Sequence, residues 1–177
     1  MKYIRSIFII CSLLLSLFSY SQQQAKRIDS IQKLKLILQT DNVVSTQNVG
    51  YAALPSKYWY AFAYLLLMSD NEELLAMTHD STAAIRFYAY IGLIHNKYSD
   101  ISMVKTRLMQ DSAGFVTFIG CVISGTTIES GTKSIEDWYN EKSTLEVLTR
   151  LGKDKKYRMR LFRDLVNPKG SVLYGVE

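Results

Sequence analysis

The chain has 177 residues, 48% hydrophobic and 21% charged, with 21 basic residues against 16 acidic ones for a formal charge of +5. That length suits one domain with one core, and so mild a basic excess argues against a nucleic-acid partner. Two cysteines, Cys11 and Cys121, are too few for a disulfide framework.

The N-terminus has the three parts of a cleavable export signal. Lys2 and Arg5 give a positive start, Ile7 to Phe18 an apolar run, and Ser19-Tyr20-Ser21 small residues at the cleavage-site positions. The run is shorter than the roughly 20 residues a membrane-spanning helix needs. Cys11 lies in mid-run after Ile10, where a lipidation signal needs a small residue, so lipidation is rejected. The expected organisation is a signal peptide over residues 1–21 and a single mature domain over 22–177. Loss of Lys2 and Arg5 takes two from the basic residues and leaves a net charge of +3, with Cys121 as the sole cysteine. The ending Ser-Tyr-Ser-Gln resembles signals of Bacteroidetes-type bacteria, which implies the periplasm, the cell surface or the medium.

After the signal, Ile28, Ile31, Leu34 and Leu38 keep a helical spacing, and Thr40 to Leu54 reads as a polar connection. Ser56 is a cap candidate for a helix over Lys57 to Met68, since its hydroxyl can accept from the first free N–H groups. Ser69-Asp70 opens a short helix carrying Glu72 and Glu73 at its positive end. Asp80-Ser81 opens another over Thr82 to Ile94, and Ser99-Asp100 one over Ile101 to Met109. From Val116 the composition turns to Val, Ile, Thr and Phe, so part of Phe115 to Ser124 is extended or a frayed helix. Gly125 to Thr132 reads as a loop. Ile135 to Tyr139 and Thr144 to Leu151 are expected to be helical, with Gly152 a stop. Asp154 to Val166 is an amphipathic helix, ended by Asn167-Pro168-Lys169-Gly170.

The middle helices read as copies of one unit. Asp80 is followed by Ile85, Arg86, Ala89 and Leu93. An earlier copy sets Trp59, Ala63 and Leu67 at the same spacing, and a later one sets Asp111, Val116 and Gly120. Positions four apart line one stripe of a helix, and a small residue between two large ones lets a neighbouring helix approach. Asp80, Ile85, Arg86, Ala89 and Leu93 resemble the second helix of a HEAT-type repeat, a likeness spanning residues 56–124 in degenerate form. The resemblance implies that Asp80 caps its helix and that Arg86 bonds to a neighbouring turn or repeat. The expected fold is therefore all-α: stacked antiparallel helix pairs in a HEAT-like superhelix.

Catalytic motifs are missing: there is no Gly-x-Ser-x-Gly, phosphate loop, His-Glu-x-x-His or Cys-x-x-Cys. His79 and His95 stand near opposite ends of one predicted helix, too far apart for one metal. Cys121 has apolar neighbours and is expected to be a packed, inert thiol. The acid pairs Glu72-Glu73 and Glu136-Asp137 do not face one another on a helix. The sequence thus implies no enzyme, metal or cofactor.

Two features suggest binding. A helix carrying Tyr58, Trp59, Tyr60, Phe62 and Tyr64, and another carrying Phe87, Tyr88 and Tyr90, are too aromatic to bury every ring. Tyr58, Tyr60, Tyr64, Tyr88 and Tyr90 therefore form a candidate contact surface, good for protein or sugar. Lys155, Lys156, Arg158, Arg160 and Arg163 form a candidate basic face, suited to an anionic surface or polymer. The expected function is an exported, non-enzymatic adaptor for a protein partner of the cell envelope. The alternative is a binder of glycans or envelope polymers.

Overall fold

The computed structural model describes residues 2–135, 139 and 141–167. The chain divides into two compact units, residues 1–32 and residues 33–177. The first is helical throughout its described part and belongs to helix α1 (Lys2–Asp41), with Leu15, Leu17, Phe18 and Tyr20 exposed. Among the described residues no helix is long and apolar enough to cross a membrane.

The second unit overturns the all-α expectation: it is an α/β fold around a four-stranded mixed sheet. Strands β1 (Val43–Val49), β2 (Leu54–Pro55), β3 (Gly114–Gly120) and β4 (Val122–Thr127) lie in the order β2-β1-β3-β4. β1 and β3 are parallel, pairing Val43 with Val116 and Ser45 with Phe118, and the other two pairings are antiparallel. Parallel strands need a long crossover. Here it holds helices α2 (Lys57–Met68), α3 (Asn71–Met77), α4 (Ala83–His95) and α5 (Ile101–Leu108). After β4 come α6 (Ile128–Lys133), α7 (Glu141–Lys153) and α8 (Lys155–Val166).

The local chemistry accounts for these elements. β3 and β4 are rich in β-branched and aromatic side chains, which suit a pleated surface. Gly120, at φ +53°, and Cys121 make the two-residue turn between them, and glycine at the first central position suits the primed turns that match strand twist. Ser56 caps α2, its hydroxyl accepting from Trp59 N–H at 3.5 Å. Asp70 and Glu73 form a full capping box at α3. Asn42, at φ +49°, ends α1. It donates through Nδ2 to the Gly114 carbonyl and accepts at Oδ1 from Ala84 N–H, both at 2.9 Å. One side chain thus ties the end of α1, the start of β3 and the first turn of α4.

The repeat of three helical copies does not survive. Trp59, Ala63, Ile85, Ala89 and Leu93 are buried on α2 and α4, but Leu67 is exposed at 38%. In the later copy Asp111 lies in the loop after α5, and Val116 and Gly120 lie on β3. The connection expected over Thr40 to Leu54 contains β1, and the loop expected over Gly125 to Thr132 holds the end of β4 and all but the last residue of α6. α7 runs through Gly152 to Lys153. Residues 136–138, within the helix expected over Ile135 to Tyr139, and residues 168–170, in the expected terminator of the Asp154 to Val166 helix, lie outside the described residues.

Candidate functional site

α7 and α8 meet at a single residue, Asp154, whose carboxylate accepts from Tyr157 N–H at 2.8 Å and so caps α8. Leu151, Leu161 and Leu165 are buried on the inner side of this hairpin. Committing that stripe to the core turns the cationic residues outward. Arg150, Asp154, Lys156, Tyr157, Met159, Arg160 and Arg163 line a cleft of about 580 Å³. Arg150 stacks on the Tyr157 ring, 4.1 Å from its centroid, which orients the guanidinium. Arg163 pairs with Asp164 at 3.3 Å. Asp154 is occupied as a cap, and among the described residues Lys156 and Arg160 have no ion-pair partner.

α8 is held from below by the aromatics expected on the surface. Tyr64 donates its hydroxyl to the Arg158 carbonyl, and its ring meets Phe162 at 5.6 Å. Burial pushes the Tyr64 hydroxyl well above the usual tyrosine range. Tyr157 is also raised, first by burial and then by neighbouring Tyr60, against the opposing pull of Arg150 and Arg160. All five candidate contact tyrosines, Tyr58, Tyr60, Tyr64, Tyr88 and Tyr90, are buried. They form no exposed surface. The signal for this was present: α2 carries no charge after Lys57 and has no polar face, and a helix apolar all round belongs inside. Lys155, Lys156, Arg160 and Arg163 are exposed as expected, and Arg158 is half-buried.

A second cleft, of about 530 Å³, is lined by Thr78, His79, Asp80, Arg86, Arg107, Gln110, Asp111 and Ser112. Its charges are spent on one another. Arg86 grips the Asp111 carboxylate at 2.8 and 3.2 Å and donates to the Asp80 and Ser81 carbonyls. Lys35 pairs with Asp80 at 2.8 Å. Arg107 bonds His79 and Thr78. Burial alone would raise the Asp80 carboxyl, but Lys35 and the Thr82 N–H outweigh it and hold it below the usual value. This is a clasp between loops, saturated by its own partners.

Cys121 corrects the expectation of a packed thiol. It is exposed at the β3–β4 turn, because a turn residue at a sheet tip has no layer to cover it. His95 contacts the Tyr139 hydroxyl through Nδ1 at 2.6 Å, far from the His79 clasp in the chain. Among the described residues no group of three or more His, Cys, Asp or Glu side chains is placed to hold a metal ion. No known protein family, curated protein or solved structure matches this chain.

Proposed function

We propose that this chain is an exported, non-enzymatic binding module that holds an acidic polymer of the cell envelope in the cleft between α7 and α8. The observation carrying this reading is the lining of that cleft: four cationic side chains face it, and its one acid is committed to capping α8. Guanidinium groups match carboxylate and phosphate oxygens in paired geometry, so a polymer bearing either group is the fitting ligand. Leu161 and Leu165 of α8 are buried in the core, which argues against a helix that lies in a lipid interface by its apolar side. Export rests on the N-terminal pattern of Lys2, Arg5 and the apolar run to Phe18.

The test is equilibrium binding of the purified chain to polyphosphate and to polyglutamate, with an uncharged polymer as control. Arg150→Glu combined with Arg160→Glu is expected to weaken binding at least tenfold. Raising salt toward molar concentration is expected to abolish it, because exposed charges are screened beyond roughly 3 Å there. Binding that survives both changes would sink the proposal.

A further inference from the structure

The sheet and its loops lack charge in a chain otherwise rich in it. Asn42 to Ser56 and Ser112 to Ile128 contain no Asp, Glu, Lys, Arg or His. Within them β4 is an edge strand, with β3 on one side and, among the described residues, no strand on the other. Proteins commonly guard such edges with charge, proline, a bulge or a covering element. β4 has no charge and no proline, and its register with β3 runs unbroken from Ile119–Val122 to Gly114–Thr127. Val122 and Ile123 are exposed at 63% and 54%, and a side chain at Gly125 would meet nothing within 4 Å.

The ladder determines which backbone groups are unspent. Ile128 N–H donates to the Ala113 carbonyl at 3.0 Å, making that opposed pair a hydrogen-bonded one. Such pairs alternate along an antiparallel ladder, so Thr117–Ser124 and Ile119–Val122 are also bonded, and Phe118–Ile123 and Val116–Gly125 are not. Ile123 and Gly125 therefore turn both N–H and C=O outward, away from β3. Hydrocarbon offers no partner to such groups, whereas another strand does.

We infer that β4 pairs with β4 of a second copy, antiparallel, about a two-fold axis through Ser124. In that register Ile123 of each copy exchanges both backbone hydrogen bonds with Gly125 of the other, setting a large side chain opposite an open position. Charge selects this edge for self-association: the chain carries +5 overall, and two copies avoid mutual repulsion best where neither bears charge. The contact is isologous and closes at two, which keeps an exposed edge from propagating. It is independent of the basic cleft and of what that cleft binds. Cys121 of one copy lies six residues along the strand from Cys121 of the other, about 20 Å, too far for a disulfide.

Sedimentation velocity of the full chain over a dilution series, with two variants, tests this. The wild-type chain is expected to show a monomer–dimer equilibrium. Gly125→Pro removes an outward N–H that β3 does not use, a site where an edge strand tolerates proline, and is expected to weaken dimerisation at least tenfold with the circular dichroism unchanged. Ser124→Cys in a Cys121→Ser background is expected to give a covalent dimer under mild oxidation, since opposed non-bonded pairs lie within disulfide reach. Should Gly125→Pro fail to fold, the Ser124→Cys crosslink decides alone. A chain monomeric at every concentration, a dimer indifferent to Gly125→Pro, or no crosslink at Ser124→Cys overturns the inference. So does a monomer that floats with neutral lipid vesicles through its apolar tips.

Discussion

Asn42 shows how much of the fold rests on single residues. Its backbone sits at positive φ, where Asn is among the few tolerated side chains. Its amide also bridges Gly114 and Ala84, residues far apart in sequence. Asn42→Ala is expected to cost about 2–3 kcal/mol, from the strained backbone plus lost hydrogen bonds. Asn42→Gly keeps the backbone conformation and is expected to cost less. Urea unfolding of the two variants checks the order, and equal losses would mean that the φ angle contributes nothing. A sequence reader could note Asn at the end of a helical pattern, but not the two segments that its side chain joins. Likewise Asp80 and Arg86 were read as repeat positions, a helix cap and a bond to a neighbouring turn. Arg86 does reach the Asp111 loop, but Asp80 accepts from the N–H of Thr82, the residue that precedes α4, and does not cap the helix. Their partners Lys35 and Asp111 come from segments that no local pattern connects.

At the scale of elements, the stripe of large and small residues was read correctly on α4 and at Trp59 and Ala63 of α2, and wrongly at Leu67 and in the third copy. Ala63, Ala89 and Leu93 are buried, as a close-packed helix pair requires. Leu93→Ala is expected to cost about 2–5 kcal/mol, a cavity in a fully buried site. Leu67→Ala, at 38% exposure, is expected to cost well under half as much. Similar melting temperatures for the two would show that the stripe does not separate core from surface. The third copy failed because spacing alone does not distinguish a helix from a strand: Phe115, Val116 and Phe118 fit either count over so short a run. What decided the matter was the partner, β1, with which β3 pairs in parallel across the whole crossover. The basic helix α8 was legible apart from the half-buried Arg158 and the exposed Val166, since its charges and its apolar stripe are both local. Its anchoring by Tyr64 was not.

For the whole molecule, buried ionisable groups set the pH range of stability. Lys57 and Tyr58 depress the Asp41 carboxyl against the opposing effect of burial, and Lys35 does the same for Asp80. A depressed carboxyl adds stability that is present above its unfolded value, near 3.8, and lost as the pH falls through the lower folded value. Burial raises Tyr64, Tyr88 and Tyr90 above 10.0. A raised hydroxyl adds stability that is complete below the unfolded value and lost as the pH climbs from there toward the folded one. These groups together predict a plateau between about pH 4 and 10, with a limb on each side. Denaturant midpoints across pH check it. Asp80→Asn is expected to shrink the acid limb, and Tyr88→Phe the alkaline one.

The chain's own order of residues determined the caps at Ser56 and Asp70, the amphipathic stripe of α8, its cationic face and the uncharged stretches flanking the crossover. All of these arise between residues a few positions apart, where spacing translates directly into a shared face or a shared hydrogen bond. Which layers enclose α2 and α4 was decided by tertiary structure alone, as were the pairing of β1 with β3 and the exposure of Cys121. Burial and strand pairing depend on what arrives from distant sequence, and a period read along the chain carries no record of the partner.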